Sequence, residues 1–135
     1  MDMSSVGLSK AQALAAKEGV SITTQVADLA EWDGFGTGTW DAIISVFAHL
    51  PPPIRKRVHA ACVSALKPGG LLLLEAYTPA QLEYKTGGPQ AVDMLYTREM
   101  LLEDFAGLQV GQLHRITCRI PTLASKTLLK TFTCT

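Results

Sequence analysis

Two short apolar runs on either side of an amphipathic segment, within residues 40–77, constrain this chain's fold more than any other feature. Residues 42–46 and 71–74 are mostly aliphatic and lack polar alternation, as is typical of strands buried on both faces. The prolines at 51–53 favour a helix start, because proline lacks only an amide hydrogen that the first turn leaves unpaired. The stretch therefore predicts a strand–helix–strand unit with a parallel crossover, and hence an α/β fold.

The predicted helix of this unit has one apolar stripe. Its members recur at three- and four-residue spacing, and they are Ile54, Val58, Ala61, Cys62, Ala65 and Leu66. On the remaining side we expect four residues that face solvent, namely Arg55, Lys56, Arg57 and His59. The sequence Lys67-Pro68-Gly69-Gly70 is predicted to end the helix before the second strand.

Composition narrows the class of protein. With 135 residues, 47% apolar and 18% charged, the chain suits one α/β domain with a large core. Its 12 basic and 12 acidic residues balance, so no net field attracts nucleic acid or an anionic membrane. No apolar run approaches the about 18 residues of a membrane span, and we recognise no signal peptide. We therefore expect a cytoplasmic protein whose three cysteines are reduced thiols without a metal site, namely Cys62, Cys118 and Cys134.

The N-terminal part predicts a helix and an edge strand. Residues 5–18 have a helical pattern that Ser4 or Ser5 can cap, and Gly19 suits the left-handed position at its end. Residues 20–26 alternate apolar and polar side chains, which favours an edge strand. The glycines of Gly34-Phe35-Gly36-Thr37-Gly38 precede a strand and not a helix, so we interpret this segment as a flexible connector.

The C-terminal part is less regular. Residues 78–95 are long for a loop in a compact domain, which indicates a functional lid or disorder. Thr97 is predicted to cap a short helix that continues through Phe105 and is ended by Gly107. Residues 108–117 are compatible with a strand, whereas residues 118–135 could form a strand or a short helix.

Four motifs carry a resemblance to a known family. Trp40-Asp41-x-Ile43-Ile44, His49-Leu50-Pro51 and Lys67-Pro68-Gly69-Gly70, in this order, resemble class I S-adenosylmethionine-dependent methyltransferases. Tyr84-x-Thr86-Gly87-Gly88-Pro89 is similar to the small tellurite-resistance-type members and favours the lid interpretation of residues 78–95. The resemblance covers roughly residues 1–111.

The resemblance implies a Rossmann-like, doubly wound and mostly parallel sheet. It also implies that this sheet is incomplete, because neither the family's first strand nor its glycine-rich turn can be recognised. We therefore expect a partial methyltransferase domain over residues 1–117, lacking the N-terminal segment, and a divergent tail over residues 118–135. The chain alone is expected to bind S-adenosylmethionine weakly or not at all.

The resemblance also assigns site residues. The family places an acidic residue at the end of its second strand, where it accepts the ribose hydroxyls, and Asp2 matches it. The other cofactor-binding residues that the resemblance implies are Met3, Ala27, Asp28, Leu29 and Phe47, with a turn residue that caps residues 29–32 as the less favoured alternative for Asp28. His49 is expected to contact the substrate, with a structural role for its ring as the alternative, and Tyr84 is expected in the lid over the substrate. For methyl transfer of this kind, the resemblance implies neither a catalytic side chain nor a metal.

Two classes of function follow from these observations. The first is S-adenosylmethionine-dependent methyl transfer to a small-molecule acceptor, in a truncated or partial enzyme. The second is a non-catalytic fragment of the methyltransferase fold that serves as an interaction module. In either class the strand at residues 42–46 would present an unpaired edge, so we also predict self-association through the incomplete sheet.

Overall fold

The structure is a computed structural model that describes residues 1–84, 87–112 and the backbone of 132–133. Contacts between residues divide the chain into two units, Met1–Gly34 and Phe35–Thr135. The predicted boundary between residues 117 and 118 lies outside the described residues, so that division of the chain stays a prediction. In the described part of the chain, no helix is long and apolar enough to cross a membrane.

The first unit contains helix α1, Ser5–Lys17, much as its pattern predicts. Ser4 caps it, with its hydroxyl accepting a hydrogen bond from the Gly7 N–H at 3.0 Å, and Gly19 takes a left-handed φ of 68°. The predicted strand over residues 20–26 is wrong in extent, because only Val26 pairs, in a single parallel bridge with Asp2. The pairing does not continue beyond Asp2, because Ser4 already caps α1 two residues later.

The second unit confirms the predicted strand–helix–strand unit. β1, Trp40–Val46, runs parallel to β2, Leu66–Glu75, and α2, Pro52–Ala65, connects them. β2 begins five residues earlier than predicted, because residues 67–70 continue the strand after α2 ends. The sheet order is β1-β2-β4-β3, in which β3 is Gln109–Val110 and β4 is Phe132–Thr133. β4 runs antiparallel to both of its neighbours.

Short helices follow the crossover unit. They are α3, Gln81–Tyr84, a 3₁₀ turn, Val92–Met94, and α4, Arg98–Asp104. Thr97 caps α4 as predicted, with its hydroxyl 3.2 Å from the Met100 N–H. Large side chains that are almost fully buried form the core of this unit, namely Leu72, Leu74, Leu95, Tyr96, Leu101 and Phe105. The predicted strand over residues 108–117 and the tail from 118 lie largely outside the described residues.

Two expectations about β1 and the segment before it are corrected. β1 is not buried on both faces: it lies at the edge of the described sheet, and the side chains of Ile44 and Val46 are 70% and 57% exposed. The glycine-rich segment is not free in its second half, because Gly38 and Thr39 donate backbone hydrogen bonds to the last turn of α2. The Trp40 indole also donates to the Phe35 carbonyl at 2.8 Å.

The predicted solvent-facing side of α2 is also partly wrong. Arg55 and His59 are each only 4% exposed, because α4 supplies Asp104 to the same face. Asp104 Oδ2 accepts from Arg55 Nε at 2.7 Å and from His59 Nδ1 at 2.8 Å. Burial lowers the pKa of His59 despite this carboxylate, and the nearby Arg55 charge acts in the same direction. We therefore describe His59 as a neutral ring that donates to an Arg55–Asp104 ion pair.

Candidate functional site

In the first unit, the segment ending at Asp2 and the segment ending at Asp28 run side by side. The Asp2 N–H donates to the Gln25 carbonyl at 3.2 Å, and the Ala27 N–H donates to the Asp2 carbonyl at 3.1 Å. These two bonds make the parallel bridge between Asp2 and Val26. Two segments that run parallel place their following residues at the same end. The predicted residues Asp2 and Ala27 are thereby brought together, and Asp28 follows directly.

Local hydrogen bonds orient both carboxylates of this unit. Asp2 Oδ1 accepts from the Ser4 N–H at 2.8 Å, and Asp28 Oδ1 accepts from the Ala30 N–H at 2.8 Å. Both side chains are exposed, so each retains acceptor capacity that solvent can reach. Asp28 is also the turn residue that the alternative reading of the sequence expected, since its carbonyl accepts from Glu31 and Trp32. The turn role and a ligand role are compatible, because they use different atoms.

The remaining predicted residues of this unit contribute less. Met3 is 68% exposed, and the Ala27 N–H is already used by Asp2. Leu29 is half-buried. An adenine-type ligand could therefore not take the Ala27 N–H without breaking the bridge. The ligand roles of Met3, Ala27 and Leu29 stay predictions.

In the second unit, an aromatic cluster occupies the carboxyl ends of β1 and β2. The Phe47 N–H donates to the Glu75 carbonyl at 2.8 Å, and its φ of 51° turns the chain sharply as β1 ends. A positive φ at a phenylalanine is strained, and such strain often accompanies a functional turn. The Phe47 ring stacks on Tyr77, which follows β2, with ring centroids 4.6 Å apart.

His49 connects this cluster to the long segment after β2. The Tyr77 N–H donates to His49 Nε2 at 3.1 Å, so Nε2 is unprotonated and Nδ1 carries the hydrogen. Nδ1 then donates to the Met94 carbonyl at 2.9 Å. Burial is the largest influence on the pKa of His49, and it lowers that pKa. The hydrogen bond to the Met94 carbonyl acts in the opposite direction. The neutral His49 ring therefore links the loop after β1 to the backbone of Tyr77 and to the backbone of Met94.

Tyr96 is a member of this cluster that the sequence did not reveal. Its hydroxyl donates to the Ala48 carbonyl at 2.7 Å and accepts from the Leu50 N–H at 3.3 Å. Its ring is 1% exposed, and burial raises its pKa to about 12. No periodic pattern includes Tyr96, which directly precedes the α4 cap. The role of Tyr96 in holding the loop after β1 is visible only from its position in the folded structure.

The two groups of predicted site residues belong to different units. Asp2 and residues 27–29 lie in the first unit, whereas Phe47, His49 and Tyr84 lie in the second. Tyr84 is the last residue of α3 and is 43% exposed. Within residues 1–84 and 87–112, no hydrogen bond or ring contact joins Tyr84 to His49. Within the same residues, no cluster of three or more potential ligands could hold a metal ion.

Comparison with known proteins identifies the family. A family model described as a methyltransferase domain matches residues 1–70, just over half of the chain. The chain therefore belongs to the methyltransferase domain family. Its match begins at the N-terminal residues that contain Asp2 and extends through β1 and α2. A search of curated protein sequences finds no match.

Solved structures show the same fold. TehB from Haemophilus influenzae superposes with a TM-score of 0.74 at 12% identity, over 98% of this chain and 48% of that chain. The N-methyltransferase NodS from Bradyrhizobium japonicum WM9 gives 0.70 at 15% identity, over 98% and 70%. In a further structure NodS is in complex with S-adenosyl-L-homocysteine, at 16% identity, TM-score 0.70, and coverage of 98% and 64%. The fold is thus a Rossmann-like methyltransferase domain, and this chain spans about half to 70% of these chains.

Proposed function

We propose that this domain takes part in S-adenosylmethionine-dependent methyl transfer to a small-molecule acceptor. The observation that carries the proposal is the parallel bridge that joins Asp2 to Val26, because it brings two acidic segment ends to one place in a methyltransferase domain. The complex of NodS with S-adenosyl-L-homocysteine supports the choice of cofactor. The Tyr-x-Thr-Gly-Gly-Pro motif beginning at Tyr84 supports a small member of tellurite-resistance type.

The residues of the first unit fit the nucleoside part of this cofactor. Ribose offers two hydroxyl donors, and adenine offers an exocyclic amine, so both ends require acceptors. Asp2 and Asp28 each present an exposed carboxylate whose orientation is held by one backbone N–H. Charge-assisted bonds of this kind are among the stronger hydrogen bonds available to a binding site. S-Adenosylmethionine, when bound, supplies a methyl group on a sulfonium, which is a good leaving group for transfer to a nucleophile.

Among the described residues of the second unit, His49 is not arranged to act as a general base. Both ring nitrogens of His49 are engaged by backbone groups, and its pKa is lowered by burial. His49 could accept a proton only by giving up its bond with Tyr77. We therefore propose that the chain contributes by positioning and by excluding water, which is sufficient for an acceptor that is already nucleophilic. Residues 78–95, with Tyr84, would then cover the acceptor.

A ligand titration followed by amide NMR tests this proposal. Adenosine and S-adenosyl-L-homocysteine should shift the amide resonances of Asp2, Ala27 and Leu29, even if affinity is only millimolar. Asp28→Asn retains the Oδ1 acceptor for Ala30 but removes the charge, so it should weaken binding about tenfold, a difference of about 1.4 kcal/mol. Asp33→Asn is the matched control, since Asp33 is exposed in the same unit.

The contrary results are equally specific. If near-saturating adenosine leaves these resonances unchanged, or if Asp33→Asn weakens binding as much as Asp28→Asn, the nucleoside assignment is wrong. The first of these results would favour the alternative function, a non-catalytic methyltransferase-fold module.

A further inference from the structure

The Tyr77 ring, at the carboxyl end of β2, is held in one position by contacts with several segments. The Tyr77 N–H donates to His49 Nε2 at 3.1 Å, and the Tyr77 carbonyl accepts from the Tyr96 N–H at 3.0 Å. The Tyr77 ring stacks on Phe47 with ring centroids 4.6 Å apart and planes at 21°. The His49 ring lies nearly parallel to it, at 4° and a centroid distance of 5.5 Å. The fold therefore fixes both the backbone and the ring of Tyr77.

The loop after α3 adds a contact that only glycine permits. Gly88 has a left-handed φ of 80°, and a Cβ atom there would lie 2.7 Å from Cδ2 and 3.2 Å from Cε2 of Tyr77. Real Cβ atoms essentially never lie within 3.0 Å of another heavy atom. The absence of a side chain at Gly88 therefore lets the loop backbone lie directly against the Tyr77 ring.

The hydroxyl of this fixed ring has no protein partner in the part of the chain that the structure describes. It is also not one of the buried polar atoms that lack a partner there, so a ligand can reach it. Tyr96 differs, because its hydroxyl is bonded to Ala48 and Leu50. A fixed ring loses little conformational freedom when its hydroxyl binds a ligand, so Tyr77 is preorganised for such a bond.

The surroundings of Tyr77 favour a planar, uncharged ligand. Phe47 and Tyr77 present half-buried aromatic rings, and the neighbouring His49 is neutral. Aromatic rings bind other planar rings by offset stacking or edge-to-face packing. These residues lie at the carboxyl ends of two parallel strands, where open α/β sheets bind ligands. A planar ring that carries a hydroxyl or amino group would match both the aromatic surface and the Tyr77 hydroxyl.

We propose that Tyr77 is a specificity-determining residue, whose hydroxyl forms a hydrogen bond with a planar methyl acceptor that bears a hydroxyl or amino group. Gly88 is the positioning residue that keeps the Tyr77 ring in place. The assignment of this ligand as the methyl acceptor rests on the proposed function, whereas the binding site itself does not. The Tyr77 hydroxyl is assigned to binding alone, so no proton transfer is required of it.

A titration of the full chain with phenol and with benzene, followed by amide NMR, tests the hydroxyl. Both probes present a planar ring, but only phenol can form the hydrogen bond. Tyr77→Phe should weaken phenol binding at least about threefold, the effect of losing one hydrogen bond, and should leave benzene binding unchanged. The proposal is wrong if phenol leaves the resonances around Tyr77 of the wild-type chain unchanged. It is also wrong if Tyr77→Phe binds phenol as tightly as the wild type does, or loses affinity for both probes equally.

Urea denaturation separates this role from a structural one. Tyr77→Phe keeps the stacked ring, so the denaturation midpoint should not change. Tyr96→Phe is the same chemical change at a hydroxyl with two partners, and it should lower the midpoint. An equal loss of stability in the two variants would show that the Tyr77 hydroxyl serves the fold, and this would contradict the proposal.

Two adjacent glycines test the positioning of the ring. Gly88→Ala places a Cβ atom against Tyr77, whereas Gly87→Ala, at a φ of 118°, places one with no other heavy atom within 4 Å. Both variants carry the strain of an alanine with positive φ, so the difference between them reports the contact with Tyr77. Gly88→Ala should weaken phenol binding at least about threefold more than Gly87→Ala does. Equal effects of the two variants would contradict the role of Gly88.

The adenosine titration distinguishes a failure of this inference from a failure of the proposed function. Phenol binding that depends on Tyr77, in a chain that does not bind adenosine, would support this site and contradict its assignment to methyl transfer. Adenosine binding without phenol binding would support the nucleoside assignment and overturn the role of Tyr77.

Discussion

At the scale of single residues, Tyr96 shows how one hydroxyl group can organise a loop. It both donates to the Ala48 carbonyl and accepts from the Leu50 N–H, at the end of β1 where the acceptor site is proposed. Tyr96→Phe should destabilise the fold by about 1–3 kcal/mol, because two backbone groups lose their partner. Urea denaturation measures this loss. Tyr84→Phe, at a ring 43% exposed, should leave the midpoint unchanged, and an equal effect would contradict the assignment.

Asp104 is expected to stabilise the fold, because it pairs with a buried positive charge. Its side chain is 2% exposed, and it compensates the buried charge of Arg55, whose side chain is 5% exposed. Asp104→Asn should cost about 3–5 kcal/mol, because removing one partner leaves an uncompensated charge in the core. The neighbouring Glu103→Gln is a matched control, since its ion pair with Lys56 is mostly exposed and should contribute at most about 1 kcal/mol. Similar melting temperatures for both variants would show that Arg55 is satisfied in another way.

At the scale of elements, the segment over residues 78–95 is anchored at its C-terminal end. The Tyr96 N–H donates to the Tyr77 carbonyl, and Met94 accepts from His49, so the segment closes a loop whose ends are adjacent. Leu95 is fully buried, whereas most residues from 83 to 93 that the structure describes are exposed. A loop with fixed ends and an exposed middle is typical of a lid.

This arrangement gives the lid proposal a kinetic consequence. In any form of the protein that transfers methyl groups, Tyr84→Ala should lower turnover at least about tenfold, equivalent to 1.4 kcal/mol in the barrier. Tyr84→Phe should retain most of that turnover if the ring acts by contact and shielding. Steady-state assays with both variants decide the point. If the Tyr84→Ala variant keeps the wild-type turnover, Tyr84 does not contact the acceptor and the lid proposal is wrong for this residue.

At the scale of the whole molecule, the buried His59 and the half-buried His49 make stability depend on pH. Burial lowers the pKa of both His49 and His59 below the ordinary value of 6.5. The unfolded chain therefore binds protons at a higher pH than the folded chain does. Their contribution to stability is complete above about pH 6.5 and is lost as the pH falls from there through the lower pKa of the folded state.

Melting temperatures between about pH 7 and pH 5 measure this effect. The wild-type chain should melt at progressively lower temperature across this window, and a double variant with His49→Gln and His59→Gln should show a smaller slope. A wild-type melting temperature that stays constant or rises as the pH falls would contradict the neutral assignment of both rings. The charged groups that face His59 are Asp104, which accepts from its Nδ1, and Arg55, which donates to the same carboxylate.

Local patterns in the sequence were sufficient for the crossover unit and the caps. The β1–α2–β2 order follows from apolar runs, proline placement and helical spacing, which are properties of neighbouring residues. The caps at Ser4 and Thr97 depend on side chains that reach only three residues along the chain. The family was also visible in local motifs, and the methyltransferase domain match confirms that coarser identification.

Only the tertiary structure shows which residues pack against the segments that these patterns define. Helical spacing places Arg55 and His59 outside the apolar stripe, but it cannot show that Asp104, more than 40 residues away, meets them and buries them. His49 and Tyr96 likewise take their roles from partners on distant segments. The exposure of β1 depends on which strands stand beside it. Periodicity reports how a segment divides its own faces, whereas burial and protonation depend on the group that packs against each face.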